Sequence, residues 1–171
     1  MTTANETAMT GASPGPRAFD VLFGKWAGRH RKLRDVTDPG CTDWVQFEAA
    51  HETSPVLGGG AHIDLLSVTE GQAVPAFEAL TLRLHRPEDD SWAIYWLSSR
   101  APGVLDPPVL GRADETGGIF ECDDEVGGRP VRVRYTWDWR DPSRPVYQQA
   151  FAEPGTEGWA TNWETIFSRL D

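Results

Sequence analysis

Two cysteines, Cys41 and Cys122, are all the thiols this chain has, too few for a disulfide framework and spaced unlike any zinc motif. Basic charge is scarce as well. Sixteen Lys and Arg against 26 Asp and Glu leave a formal net charge of −10. Such a surface repels phosphate backbones and anionic membranes, so neither nucleic acid nor membrane is expected as a partner. The excess acid is read instead as a solubilising surface. No stretch approaches the roughly 18 apolar residues of a membrane span. Residues 1–17 lack the basic start and apolar run of a secretory signal, and read as a flexible leader of a cytoplasmic protein. Residues 18–171 are then long enough for one buried core, and a single domain is expected.

Catalytic signatures are missing too. There is no Gly-x-Ser-x-Gly elbow and no catalytic-cysteine pattern. Gly58-Gly59-Gly60 has neither the Lys-Ser/Thr pair nor the helix of a phosphate loop. Four histidines, His30, His51, His62 and His85, fall in four separate segments with no ligand spacing, so no metal and no cofactor are expected. Glu121, Asp123, Asp124 and Glu125 have the wrong spacing for calcium and, with Gly127 and Gly128 behind them, read as a solvated turn.

Helical periodicity is also absent beyond a turn or two. Phe19 to Phe23 forms a short apolar knot, read as one helical turn closing an end of the fold. From Gly24 onward apolar and polar residues alternate, with turn signals every ten to fifteen residues. Strands are predicted over 25–34, 44–52, 61–69, 77–85, 91–100, 109–113, 118–122, 131–139, 146–152 and 159–169. Nine or ten strands in sequence without helices make a meander, and closure removes its edges. The expected fold is all-β, a closed antiparallel up-and-down β-barrel wide enough for one small ligand.

Eight tryptophans are spread along these strands. With Trp26 setting the inward phase, His30 also faces inside. The aromatic-bearing faces of the other strands add Trp92, Ile94, Trp96 and Arg100; Tyr135 and Trp137; Tyr147, Gln149 and Phe151; and Trp163 with Thr161 and Thr165. Gly28, Ala79, Ala93 and Ala150 among them leave space for a cavity. A mostly aromatic wall with a few polar groups is how small-molecule sites are built. His30 either orients a ligand or moves a proton, or is a structural histidine beside Trp26. Arg100 either meets a ligand anion at the barrel mouth or pairs with a surface acid. Tyr147 and Gln149 either bind a ligand carbonyl or satisfy each other. Arg83, Arg132 and Arg134 face solvent if the Val and Leu faces point inward, and Arg83 becomes a cavity residue if its strand has the opposite phase.

The segment Phe19-Asp20-Val21-Leu22-Phe23-Gly24-Lys25-Trp26 resembles the opening of lipocalins and the wider calycin group, where an apolar turn leads into Gly-x-Trp. That resemblance implies a latch in which a basic residue after the last strand packs on the Trp, here Arg169. From Phe19 on, the chain is similar to bacterial DUF1579-type lipocalin-like proteins. The pieces that carry this are Trp26 with His30, Leu80-Thr81-Leu82-Arg83, Trp92-Ala93-Ile94-Tyr95-Trp96, Asp106-Pro107-Pro108-Val109, Val131-Arg132-Val133-Arg134-Tyr135, Gln149-Ala150-Phe151 and Asn162-Trp163. It implies a fold and a cavity, without a chemistry. The nitrobindin branch of calycins holds haem through a late histidine, but no histidine follows His85 here, so haem is not expected.

Two functions follow as expectations. The first is binding of a small, largely apolar, aromatic or polycyclic metabolite through His30, Trp96, Arg100, Tyr135, Trp137, Tyr147, Gln149 and Trp163. The second is a cofactor-independent cyclase or isomerase of secondary metabolism, with His30 or Tyr147 as acid or base. The partner is a small molecule in both cases, and a homodimer is left open.

Overall fold

The computed structural model describes residues 17–171, so all but the last residue of the expected leader lies outside the described residues. Ten strands run in sequence: β1 (Gly24–Leu33), β2 (Trp44–Val56), β3 (Ala61–Val68), β4 (Phe77–Arg86), β5 (Ser91–Ser98), β6 (Val109–Ala113), β7 (Gly117–Val126), β8 (Arg129–Asp138), β9 (Val146–Ala152) and β10 (Ala160–Arg169). Each pairs antiparallel with its sequence neighbour, and β1 pairs with β10 to close the barrel. Alternation dictates the register of the wall. Along β2, buried Val45, Phe47, Ala49, His51 and Thr53 alternate with exposed Gln46, Glu48, Ala50 and Glu52. A one-residue slip would turn that whole apolar set to water.

One end is plugged. A single 3-10 turn, Asp20–Leu22, carries Phe19 and Leu22 into the barrel. Phe19 is fully buried against Trp92, Phe120 and Trp139 at ring-centroid distances of 5.0, 5.8 and 5.2 Å. Trp26 Nε1 donates to Leu22 O at 2.8 Å, tying the turn to β1. The Arg169 guanidinium lies over the Trp26 ring at 4.2 Å and donates to Phe23 O and Val21 O at 3.0 and 3.2 Å. The last strand thereby locks the plug, as the lipocalin resemblance implies.

Three expectations are corrected, and the phase of β4, open in the sequence, is decided. β7 continues to Val126, so Glu121, Asp123, Asp124 and Glu125 belong to a strand, and only Gly127 and Gly128 make the turn. On the outer side of the strand Glu121 pairs with Arg132 and Arg134, while Asp124 faces the interior. On β4 the leucine face points outward: Leu80, Leu82 and Leu84 are half-buried on the outside, while Arg83 is fully buried. In β10 a bulge between Thr161 and Trp163 shifts the phase, and Asn162 takes a buried place where Thr161 was expected. β5 ends at Ser98, so Arg100 falls on the following turn, exposed. Both cysteines are free thiols. Among the described residues no helix is long and apolar enough to cross a membrane.

Candidate functional site

Between the plug and the opposite end of the barrel lies a cavity of about 230 Å³. Its apolar wall comes from alternate positions of successive strands: Leu66, Ile94, Trp96, Val109, Val133, Trp137, Phe151, Trp163 and Phe167. Tyr135, Tyr147, Gln149, Thr81 and Thr165 add hydroxyl and amide groups. The end away from the plug carries the charged residues Lys32, Asp106 and Asp124.

A chain of polar groups crosses one side of this interior. Gly28 on β1 has no side chain, and the imidazoles of His30 and His51 meet in the space above it, Nε2 to Nε2 at 3.2 Å. His51 Nδ1 lies 3.3 Å from Asp64 Oδ1, and Arg83 Nη2 donates to Asp64 Oδ2 at 3.5 Å. At the other end His30 Nδ1 takes the indole N–H of Trp163 at 3.1 Å and the Thr165 hydroxyl at 2.8 Å. All of these residues are buried.

Donor rules fix the proton positions along this chain. An indole N–H can only donate, so His30 Nδ1 must accept. Burial, followed by the neighbouring His51, pushes His30 down to about 3, so the ring is neutral and its one proton sits on Nε2. That proton is donated to His51 Nε2, which leaves the His51 proton on Nδ1, facing Asp64. Burial disfavours the Asp64 carboxylate, but the His51 hydrogen bond and the Arg83 charge outweigh it and hold its carboxyl below the usual value. Arg83, fully buried, has its pKa lowered by burial against the opposing pull of Asp64, yet a guanidinium keeps its charge. Both His30 nitrogens are thus occupied within the protein.

The remaining polar groups are held as neutral donors or kept at the rim. Burial raises the phenols of Tyr135 and Tyr147 above their ordinary range, so both remain O–H groups. Gln149 Nε2 donates to Asn162 Oδ1 at 2.8 Å, which keeps the Gln149 oxygen as an acceptor. Burial, then Asp124, Asp123 and Asp106, pushes the Cys122 thiol up to about 11, away from nucleophilic use. Lys32 is lowered to about 8 by burial and by Arg100, with its Nζ 4.3 Å above the Trp163 ring. Burial and Asp124 raise Asp106.

Of the residues singled out in the sequence, His30, Trp96, Tyr135, Trp137, Tyr147, Gln149 and Trp163 line this cavity. Arg100 does not. Its guanidinium stacks on Phe77 at 3.7 Å and donates to Pro75 O at 3.1 Å outside the lining. Sequence reasoning missed His51, Asp64 and Lys32 as lining residues. The alternation of β2 carried a signal for His51, since it shares a face with Val45, Phe47 and Ala49. Asp64 carried none, because Ile63, Leu65 and Leu66 around it blur the period.

A closed ten-strand antiparallel barrel with this plug fits a lipocalin-like fold. No family model matches the chain, and no curated protein matches it.

Proposed function

We propose that the barrel holds one small, largely apolar aromatic metabolite, in keeping with the resemblance to DUF1579-type lipocalin-like proteins. The observation that carries this reading is the cavity of about 230 Å³ walled by Trp96, Trp137, Trp163 and Phe167. An apolar cavity of about 150 Å³ is enough to take up benzene, so this one suits a molecule of about two fused rings. Apolar burial and aromatic contact supply the affinity, at about 25 cal/mol per Å² removed from water. Tyr135, Tyr147 and Gln149 supply orientation, the phenols as donors and the amide as acceptor. His30 acts through Trp163, fixing the ring that forms one side of the wall.

A cofactor-independent cyclase or isomerase is the second reading, and one observation favours it: the Tyr147 hydroxyl stands on the cavity wall, placed to hydrogen-bond an oxygen of a bound substrate. His30 fits that reading poorly, since both its nitrogens are engaged. Mass spectrometry of a metabolite extract incubated with a small, known amount of protein separates the two. Depletion of one compound to a single equivalent, returned unchanged on denaturation, is expected for the binder. Depletion far past one equivalent with a new product of related mass would replace it with the enzyme, and no depletion of any compound would remove both.

A further inference from the structure

Among the described residues, the buried side-chain atoms without a hydrogen-bond partner include Arg83 Nε, Arg83 Nη1 and Trp137 Nε1. These three are donors only. They are also neighbours: the Arg83 guanidinium carbon is 5.4 Å from the Trp137 ring centroid, and Trp137 lies 5.0 Å from the Tyr147 ring. Trp137, Tyr147 and Asp64 line the cavity, and Arg83 lies behind Asp64 on the side of the plug, 5.1 Å from the Phe19 ring. Only one Arg83 nitrogen reaches Asp64, and at 3.5 Å that contact is long. A buried donor without a partner costs about 1–3 kcal/mol, so a concentration of them beside a cavity marks where an acceptor belongs.

Charge narrows the acceptor. The Arg83 cation is already balanced by Asp64, and the nearby His62 imidazole is neutral, lowered to about 4 by burial and by Arg83. A second carboxylate would crowd Asp64 with uncompensated negative charge. A neutral oxygen adds no charge and accepts from Trp137, the donor that lines the cavity.

We propose that the plug end of the cavity is a subsite for a carbonyl oxygen, received by Trp137 Nε1–H with the Arg83 guanidinium beside it, so that the ligand is an aryl ketone or quinone. This rests on the reading of the barrel as a binder of small aromatics and names its ligand class.

Three probes of one bicyclic skeleton test it on the full chain: 1-tetralone, tetralin and tetralin-1-carboxylate. Calorimetric titration is expected to give 1-tetralone about a ten-fold tighter Kd than the other two, the worth of one well-made hydrogen bond. The carbonyl 13C resonance of labelled 1-tetralone moves downfield on binding, as it does when a carbonyl accepts a strong hydrogen bond. Trp137→Phe, which keeps a ring and removes the N–H, collapses the ratio between ketone and hydrocarbon to within about two-fold. Should that variant not fold, the carbon shift with the natural sequence carries the test. Equal binding of ketone and hydrocarbon, tightest binding of the carboxylate, an unmoved carbonyl resonance, or a ratio that survives Trp137→Phe overturns the subsite while leaving the aromatic binder standing. Failure of all three probes to bind overturns the binder and the subsite together.

Discussion

Replacing Gly28 by alanine probes the polar chain at its tightest point. A Cβ there would sit 2.8 Å from His51 Nε2 and 2.9 Å from His30 Nε2. Neither ring can simply swing aside, since His30 is held by Trp163 and Thr165 and His51 by Asp64. In an ordinary strand with negative φ, Gly→Ala stabilises by about 0.4–1 kcal/mol through the unfolded chain. Here forced repacking costs about 1–3 kcal/mol, and the separated imidazoles lose a buried hydrogen bond worth a similar amount. The net expectation is a destabilisation of about 2–4 kcal/mol, or a urea midpoint lower by about 1–2 M. In a His51→Ala background the space is open, and the same substitution is expected to recover at least half of that loss, which a double-mutant cycle reads directly. A midpoint for Gly28→Ala equal to or above that of the natural sequence would refute the placement of the two imidazoles over Gly28.

Acid should weaken the fold in a defined window. His30 has a folded pKa of about 3 against 6.5 unfolded, so the unfolded chain binds the extra proton and stability falls as pH drops below 6.5. The loss is about 1.4 kcal/mol per pH unit from His30 alone, with His62 acting in the same direction. Asp64 works the same way only at lower pH, below its unfolded 3.8, so urea midpoints between pH 6.5 and 4.5 report the histidines, and His30→Gln should flatten the slope. Asp64→Ala leaves the buried Arg83 cation without a counter-charge and is expected to cost about 3–5 kcal/mol in chemical denaturation. A loss under 1 kcal/mol would mean that the guanidinium reaches water. Arg169→Met removes two hydrogen bonds to carbonyls and the contact with Trp26, and should lower stability by about 1–3 kcal/mol by thermal unfolding. Arg169→Lys should recover less than half, because one ammonium cannot span Val21 O and Phe23 O and cover the ring together.

Period-two alternation makes most of the wall legible in the sequence. It works on β8, where Val131, Val133, Tyr135 and Trp137 alternate with Arg132, Arg134 and Thr136, and on β1 and β9, where Trp26 and Tyr147 set the phase that brings His30 and Gln149 inside. On β4 it leaves the phase open, for a physical reason. The run Leu80-Thr81-Leu82-Arg83-Leu84 suggests leucines inside, but the outer surface of β3 to β5 is itself apolar, with Leu65 and Leu80 paired and Leu80 and Leu97 paired across the strands. Arg83 is free to turn inward because Asp64, on the neighbouring strand, compensates it. A carboxylate and a guanidinium nineteen positions apart say nothing to each other in a linear reading. The bulge at Asn162 was equally silent, since nothing in Thr161-Asn162-Trp163 marks an extra residue. The plug and its arginine latch were readable from Gly24-Lys25-Trp26 because that resemblance fixes which residues meet.

An interior that takes up one small aromatic molecule underlies the proposed function. Calorimetric titration with tetralin, repeated with Val133→Trp to fill the space from β8, addresses it most directly. The expected result is saturable binding at one equivalent with a negative heat-capacity change, lost when the tryptophan occupies the cavity. Absence of saturable heat with the natural sequence for tetralin, 1-tetralone and tetralin-1-carboxylate alike, or binding that persists unchanged in the filled barrel, would contradict it.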